Sequence, residues 1–245
     1  MALTDKVEIP RRTMVLFFVI DASGSMAGSK IGTVNAAIEE VLPDLKELSA
    51  KNADALIKIA ALEFSSGAQW ITAGGPVELE QFYWHYIEAG GVTDFGAACK
   101  TLNEKLSTNG FMREAAGSFA PAIILLSDGE PTDDWQGGLK ILKENKWFKA
   151  GIKAAIAIGD EANKDVLKEF TGGMEAVLEA SNRGMLKKMI KFLSIRSSEV
   201  GSKSSNVGDS STDMGDEQKQ KELNDSLQEF AENAASEPEN DQKDW

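Results

Sequence analysis

The sequence predicts an α/β fold, with a doubly wound, mostly parallel sheet and helices on both of its faces. Strand-like and helix-like segments alternate along the chain, which is the order expected of parallel strands joined by crossover helices. Two continuous apolar runs, at 14–20 and 122–126, have the composition of strands buried on both faces. The turn Ser65-Ser66-Gly67 separates two further strand-like segments and predicts one antiparallel edge strand.

The individual elements follow from their apolar periodicity. Apolar side chains recur about every 3.6 residues from 30 to 51, which predicts one amphipathic helix. Pro43 lies inside this helix and is expected to kink it or to end it early. The other predicted helices are 95–106, 139–148, 165–170 and 183–195, and the predicted strands are 14–20, 55–64, 68–72, 122–126, 152–158 and 175–178.

Length and composition exclude several classes of protein. The chain has 245 residues, 42% of them apolar, which suffices for one domain of ordinary size with an appendage. The single cysteine, Cys99, and the single histidine, His85, exclude a disulfide framework, multi-cysteine metal sites and two-histidine metal sites. No apolar run reaches the ~18 residues of a membrane span, and the polar start of the chain does not resemble a signal peptide. We therefore expect a cytoplasmic protein.

The net charge of −13 is concentrated at the C-terminal end of the chain. Four basic and thirteen acidic residues follow residue 196, whereas the charges before it are nearly balanced. Neither part has a basic stripe that would neutralise phosphate groups. Nucleic acid and anionic membranes are therefore not expected as partners.

A change of composition near residue 196 predicts the domain boundary. The stretch that follows is rich in Ser, Gly and Asp and has too few large apolar residues to order itself. Leu223, Leu227 and Phe230 recur at helical spacing and predict a marginal helix over 216–235. We predict one domain over 1–196 and an acidic, largely disordered tail over 197–245.

Carboxylate and hydroxyl side chains follow the ends of the two buried strands. The first strand runs into Asp21, Ser23 and Ser25, and the second runs into Asp128. A glycine-flanked loop between them carries Thr93. Ligands of doubly wound sheets bind at the carboxyl ends of the strands, and alternate residues of an extended loop project the same way. Two carboxylates and three hydroxyls are hard oxygen ligands, so the sequence predicts a site for Mg²⁺ or Mn²⁺.

Other interpretations of these residues stay open at this point. Ser23 and Ser25 have an alternative role as caps of the following helix. Asp94, Glu130 and Asp133 are expected to line the rim of the metal site without binding the ion.

Familiar catalytic signatures are missing from the sequence. No two glycines are two residues apart, which excludes a dinucleotide fingerprint, and neither a Walker phosphate loop nor a G-x-S-x-G elbow is present. His85 lies among aromatic residues, a setting that favours packing over a role as a base.

The motifs resemble those of the von Willebrand factor type A domain with an intact metal-ion-dependent adhesion site, over about residues 12–196. They are Phe-Val-Ile-Asp-Ala-Ser-Gly-Ser-Met, Ala-Gly-Gly-Val-Thr-Asp-Phe-Gly-Ala-Ala and Leu-Leu-Ser-Asp-Gly-Glu-Pro-Thr-Asp-Asp. The resemblance implies six strands in the order 3-2-1-4-5-6. Within the family the chain most resembles the bacterial, tellurite-resistance-associated TerY group, intracellular proteins found alongside a kinase-like protein and a phosphatase.

The resemblance also assigns a role to each of the predicted ligands. Asp21, Ser23 and Ser25 match the D-x-S-x-S motif of the family, whose two serines bind the metal directly. Thr93 matches the loop threonine and Asp128 the third-loop aspartate, and in the family these two alternate between direct and water-mediated contact with the metal.

The expected function is recognition rather than catalysis. Five ligands leave an octahedral ion one position, which an Asp or Glu side chain of a partner protein is suited to fill. We expect a Mg²⁺-dependent interaction module, a cytoplasmic adaptor in a tellurite-resistance, stress or defence assembly, with the kinase-like protein or the phosphatase as candidate partner. The alternative is a Mg²⁺-dependent phosphohydrolase, which would need a general base or a second cation that the sequence does not reveal.

Overall fold

The computed structural model of the protein describes residues 11–53, 55–113, 117–202 and 212–236. Over these residues, seven strands form one sheet, and helices cover both of its faces. In chain order the elements are β1 (Arg12–Asp21), α1 (Ser29–Lys51), β2 (Ala55–Ser65), β3 (Gly67–Trp70), β4 (Val77–Glu78), α2 (Phe95–Lys105), β5 (Ala122–Ser127), α3 (Trp135–Glu144), α4 (Lys146–Ala150), β6 (Ile152–Ile158), α5 (Lys164–Thr171), β7 (Val177–Ala180), α6 (Arg183–Gly201) and α7 (Thr212–Ser236).

The strand order is β3-β2-β1-β5-β6-β7, and every neighbouring pair except β2–β3 is parallel. This confirms the predicted α/β fold, the predicted order of six strands and the antiparallel edge strand. A seventh strand, β4, pairs antiparallel with β2 at Lys58 and Ile59. The sequence did not reveal β4 because a strand of two residues is too short to show an alternating pattern.

The core has two layers because successive side chains of each strand point to opposite faces of the sheet. In β1, Met14, Leu16, Phe18 and Ile20 belong to the layer that α1 and α6 cover. The alternate residues of β1 belong to the layer that α2, α3, α4 and α5 cover. Crossover helices therefore lie on both faces, as a doubly wound sheet requires.

Two predicted helices differ from expectation at an internal residue, although α1 keeps its predicted length. α1 does not end at Pro43 but continues to Lys51. Pro43 and Glu39, four residues before it, are both exposed, so the carbonyl group that loses its helical partner is accessible to water. The predicted helix over 139–148 is two helices, because the side chain of Asn145 accepts hydrogen bonds from the backbone N–H groups of Trp147 and Phe148 and starts α4.

The last helix of the sheet layers passes through the predicted boundary at residue 196. α6 continues to Gly201, and Ser197, Ser198 and Val200 in this last stretch are buried. Small side chains explain the difference, since a Cβ atom on Gly201 would already lie 3.6 Å from Met14 and from Ile152. Serine and glycine, which favoured disorder in the sequence, here allow the helix to lie close to the sheet.

α7 docks against the domain, whereas the sequence predicted only a marginal helix in a largely disordered tail. Leu223 and Leu227 are buried, and the ring of Phe230 stacks on Phe192 of α6 with 4.4 Å between ring centroids. The predicted disorder of 203–211 and 237–245 lies outside the described residues. None of the helices in the described part of the chain is both long and apolar enough to span a membrane.

A side-chain amide joins α7 to the sheet. Gln220 Oε1 accepts a hydrogen bond of 2.8 Å from the backbone N–H of Lys153, and Gln220 Nε2 donates one of 3.0 Å to the Lys153 carbonyl. β7 pairs with β6 only from Ala155 onward, so the amide of Gln220 satisfies backbone groups of β6 that β7 does not reach.

Candidate metal centre

The predicted ligands come together where the strand order reverses. β1 and β5 are parallel neighbours, with Ile20 opposite Leu126, so both strands end at the same edge of the sheet. The chain then passes from β1 to α1 on one face and from β5 to α3 on the other. This divergence opens a crevice between the two loops, the usual ligand position in doubly wound sheets.

Asp21, the last residue of β1, is fully buried and is held at both carboxylate oxygens. The backbone N–H of Ser23 donates to Asp21 Oδ1 at 2.9 Å, and Ser127 Oγ at the end of β5 donates to Asp21 Oδ2 at 2.6 Å. The hydroxyl oxygens of Ser23 and Ser25 lie 3.0 Å apart. The alternation of the D-x-S-x-S loop thus brings its three oxygen-bearing side chains together.

Asp128 connects the first loop to the third. Ser25 Oγ donates a hydrogen bond of 2.7 Å to Asp128 Oδ1. Asp128 Oδ2 accepts from the ammonium group of Lys30, in the first turn of α1. The crevice therefore already contains one positive charge, supplied by a residue that the sequence prediction did not include.

Thr93 lies in the same cluster, because its hydroxyl oxygen and side-chain oxygens of the first loop are close to the same position beside Gly129. A methyl group on Gly129 would lie 3.4 Å from Ser25 Oγ, 3.5 Å from Thr93 Oγ1 and 3.7 Å from Asp21 Oδ2. Oxygen atoms of the first two loops thus lie beside this position of the third loop, which glycine leaves open. The Thr93 loop is fixed to the third loop by two hydrogen bonds with Thr132, one from each backbone N–H group.

The other acidic residues near the crevice bind protein groups. Asp133 accepts hydrogen bonds of 2.9 Å from the backbone N–H groups of Gly96 and Ala97 and so caps α2. Asp94 accepts from the N–H of Gly67 at 2.8 Å. These carboxylates hold the loops in place, and their position at the rim of a metal site stays a prediction.

The remaining rim residue is Glu130, which is exposed and bonded to Asn163 at 3.3 Å. His85, for which packing was predicted, is exposed instead. Cys99 is buried, and burial raises the pKa of its thiol so that it stays protonated.

Burial raises the pKa of Asp21 above its ordinary value of 3.8, because the charged carboxylate loses solvent. Hydrogen bonds from Ser127 and Ser23 oppose this shift, and the neighbouring charge of Asp128 adds to it. A dication placed between the two carboxylates would relieve both the desolvation and the repulsion. These two carboxylates therefore favour a bound cation.

The donor set fits a hard divalent cation. Within the described part of the chain no group of three or more His, Cys, Asp and Glu side chains could hold a metal ion, so a site here depends on hydroxyl ligands. The crevice offers two carboxylates and three hydroxyls, which suit Mg²⁺ or Mn²⁺. The alternative role of Ser23 as a helix cap is not observed, since its side chain makes no capping hydrogen bond.

The sequence prediction missed Lys30 and Ser127. The position of Lys30 could have indicated a nearby anion, because a cation in the first turn of a helix is unfavourable beside the positive end of the helix dipole unless an anion compensates it. Ser127 belongs to the end of β5 and points to Asp21 across the strand pair. Its role depends on the register between β1 and β5, which the implied strand order does not give.

Comparisons with known proteins agree with this architecture. The model of the von Willebrand factor type A domain family matches residues 16–192. The chain is 28% identical over 195 residues to inter-alpha-trypsin inhibitor heavy chain H6 of Homo sapiens. The match covers 74% of this chain and only 13% of that relative.

Two solved structures share the fold. One is a von Willebrand factor type A protein from Catenulispora acidiphila, with a TM-score of 0.54 and 16% identity, covering 76% of this chain and 43% of that one. The other is proximal thread matrix protein 1 from the mussel byssus, in a structure with a zinc-occupied MIDAS motif. Its TM-score is 0.53 at 17% identity, and the match covers 76% of this chain and 45% of that one. The family match extends over most of the chain and includes all five predicted ligands. The chain therefore belongs to the von Willebrand factor type A domain family.

Proposed function

We propose that the chain is a Mg²⁺-dependent protein-interaction module that binds an Asp or Glu side chain of a partner through its metal site. The family consists of interaction modules, and a similar fold holds zinc in the corresponding motif. The observation that carries the proposal is the convergence of Ser25, Thr93 and Asp21, whose side-chain oxygens all lie 3.4–3.7 Å from the Cβ position of Gly129.

The residues of the crevice explain why recognition is favoured over turnover. Asp21 and Asp128 together balance the charge of a dication, and the hydroxyls of Ser23, Ser25 and Thr93 complete a set of five oxygen ligands. A bound Mg²⁺ would supply one Lewis-acidic position that a carboxylate can fill. Ser25 and the neighbouring Val92 are exposed, so a partner side chain has access to the edge of the crevice.

The cellular setting is proposed on the TerY resemblance alone. On this ground we propose a cytoplasmic adaptor in a tellurite-resistance or stress assembly, with a kinase-like protein or a phosphatase as partner. The chain spans only 13% of inter-alpha-trypsin inhibitor heavy chain H6, one of the curated relatives that it matches.

A capture experiment tests the proposal. Immobilised full-length protein is exposed to lysate of its native cell in Mg²⁺ or in EDTA, beside the Thr93→Ala variant. We expect a partner that is retained in Mg²⁺, released by EDTA and bound more weakly by the variant, because Thr93 is one of the ligands around the open position. Retention that neither EDTA nor the variant changes would contradict the proposal.

The phosphohydrolase alternative is tested separately. A phosphohydrolase would need a general base at the site. Lys30 cannot serve as that base, because its ammonium group is paired with Asp128 and has no lone pair to accept a proton. We therefore expect no turnover of p-nitrophenyl phosphate in Mg²⁺ or Mn²⁺. Turnover that disappears in the Asp21→Asn variant would replace the interaction proposal with the enzymatic one.

A further inference from the structure

Lys30 forms an ion pair inside the candidate metal centre. Its Nζ atom contacts Asp128 Oδ2, while the other oxygen of the same carboxylate accepts the hydrogen bond from Ser25. Both oxygens of Asp128 are therefore occupied by donors of the protein. A divalent cation that is to bind Asp128 has to take an oxygen from one of these donors or share it.

The pair is largely buried, unlike the pair of Lys51 and Glu47 within the same helix. The side chain of Asp128 is fully buried and that of Lys30 is 18% exposed. Lys51 and Glu47, paired near the end of the same helix, are 73% and 64% exposed. Exposed pairs contribute little to stability, whereas removing one partner of a buried pair leaves an uncompensated charge.

The position of Lys30 in its helix is electrostatically unfavourable without Asp128. Lys30 is the second residue of α1, where the positive end of the helix dipole repels cations. Asp128 comes from the far side of the crevice, 98 residues later in the chain. The contact between them therefore links the first loop to the third across the site.

We propose that Lys30 is a tethered cation that competes with the divalent ion for Asp128 and thereby sets the metal affinity of the site. This inference rests on the proposed function, because it assumes that a divalent cation binds in the crevice. In the metal-free protein Lys30 neutralises Asp128 and keeps the loops together. When a dication arrives, the ammonium group is displaced or repelled, which opposes metal binding.

Charge counting gives the direction of the effect. Asp21, Asp128 and Lys30 together carry one negative charge, so a dication leaves the site with an excess positive charge. Without the ammonium group the two carboxylates would balance the dication. Removing the charge of Lys30 is therefore expected to tighten metal binding and to destabilise the metal-free protein.

The test compares four proteins in calorimetric titrations with Mn²⁺: wild type, Lys30→Met, Lys30→Arg and Lys51→Met. Methionine keeps most of the stem of Lys30 without its charge, arginine keeps the charge, and Lys51→Met removes an exposed lysine of the same helix. We expect Lys30→Met to bind Mn²⁺ at least about tenfold more tightly than wild type. Lys30→Arg and Lys51→Met are expected to stay within about threefold of wild type.

Thermal unfolding provides a second readout that needs no partner and no activity. In EDTA, Lys30→Met is expected to have a lower Tm than wild type and Lys51→Met, because the charge of Asp128 is then uncompensated. Mn²⁺ is expected to raise the Tm of Lys30→Met more than that of wild type. Equal Mn²⁺ affinity and equal Tm in wild type and Lys30→Met would overturn the inference while leaving the metal site intact. A wild type and variants that all bind no Mn²⁺ would overturn the proposed function instead.

A measurement on the wild-type protein keeps the inference testable if Lys30→Met does not fold. The side-chain Cε resonance of Lys30, assigned by its absence from Lys30→Arg, is followed by NMR during a Mg²⁺ titration. Competition predicts that this resonance shifts in step with metal binding, whereas that of Lys51 does not. A Lys30 resonance that is unchanged at saturation with Mg²⁺ would contradict the inference.

Discussion

Gly129 has a role at the site because it lacks a side chain. The point where a Cβ atom would stand is 3.4–3.7 Å from Ser25, Thr93 and Asp21, close enough for ordinary contact and without a clash. We expect Gly129→Ala to fold normally but to weaken metal affinity at least about tenfold, since its methyl group fills the space between the ligands. Competition with a metal-sensitive dye measures this affinity.

The matched control for this prediction is Gly32→Ala. Gly32 lies in α1 with nothing within 4 Å of its Cβ position, so alanine there is expected to stabilise the helix by roughly 0.5–1 kcal/mol and to leave metal affinity unchanged. Unaltered metal affinity in Gly129→Ala would show that the ion does not bind beside Gly129.

Asp21 predicts the pH dependence of the metal-free protein. Its pKa is raised in the folded state, so the folded chain takes up a proton at pH values where the unfolded chain does not. The corresponding stability is fully present below the ordinary value of 3.8 and is lost as pH rises through the raised pKa. In EDTA we therefore expect Asp21→Asn to lose less stability than wild type between acidic and neutral pH, measured by urea unfolding. A steeper loss in the variant would refute this assignment.

At this scale the sequence predicted five candidate ligands, whose binding of a metal stays a prediction, but not the network around them. Asp21, Ser23 and Ser25 form a local string whose spacing is visible in one dimension. The contact of Lys30 with Asp128 joins residues 98 positions apart, and that of Ser127 with Asp21 joins residues 106 apart. Such contacts follow from the register of the strands and the paths of the loops, which the predicted strand order did not specify.

Among the elements, α7 shows most clearly what periodicity predicts and what it does not. The stripe of Leu223, Leu227 and Phe230 predicted the helix, but its docking depends on two features elsewhere. β6 has backbone groups that accept and donate to Gln220, and α6 extends far enough to present Phe192. A helix that is marginal by itself is stabilised by this packing.

Docking of α7 is tested by Leu223→Ala. Leu223 is fully buried, so the substitution is expected to cost about 2–5 kcal/mol of unfolding free energy in urea, through lost apolar burial and the cavity left behind. Gln218→Ala, at an exposed position of the same helix, is expected to change stability by no more than about 0.5 kcal/mol. Equal stabilities of the two variants would mean that α7 does not pack on the domain in solution.

For the strands and helices that form the sheet layers, the sequence predictions were close. All six predicted strands and the crossover helices are present, because long apolar runs and 3.6-residue periods report burial directly. The predictions differ from the structure at the ends of helices, where capping residues and side-chain size determine where a helix begins or ends. Asn145 divides one predicted helix into two, and the short side chains after residue 196 extend another.

The whole molecule carries a net charge of −13, which attracts divalent cations nonspecifically. A specific site has to be distinguished from this diffuse attraction, which salt screens. We expect Mg²⁺ to raise the Tm of the wild-type protein in about 0.15 M NaCl, because an ion that binds only the folded state stabilises it by mass action. The same Mg²⁺ is expected to leave the Tm of Asp21→Asn unchanged, and an equal rise in both proteins would indicate diffuse binding alone.

The most direct test of the metal centre is the number of Mn²⁺ ions bound per chain, measured by calorimetric titration of wild type and Asp21→Asn at the same ionic strength. Asn keeps the shape of the buried side chain and removes the charge at the centre of the ligand set. A divalent-cation site built from Asp21, Ser23, Ser25, Thr93 and Asp128 predicts one Mn²⁺ per wild-type chain and none in the variant. The same stoichiometry and affinity in both proteins, or no binding in wild type, would contradict it.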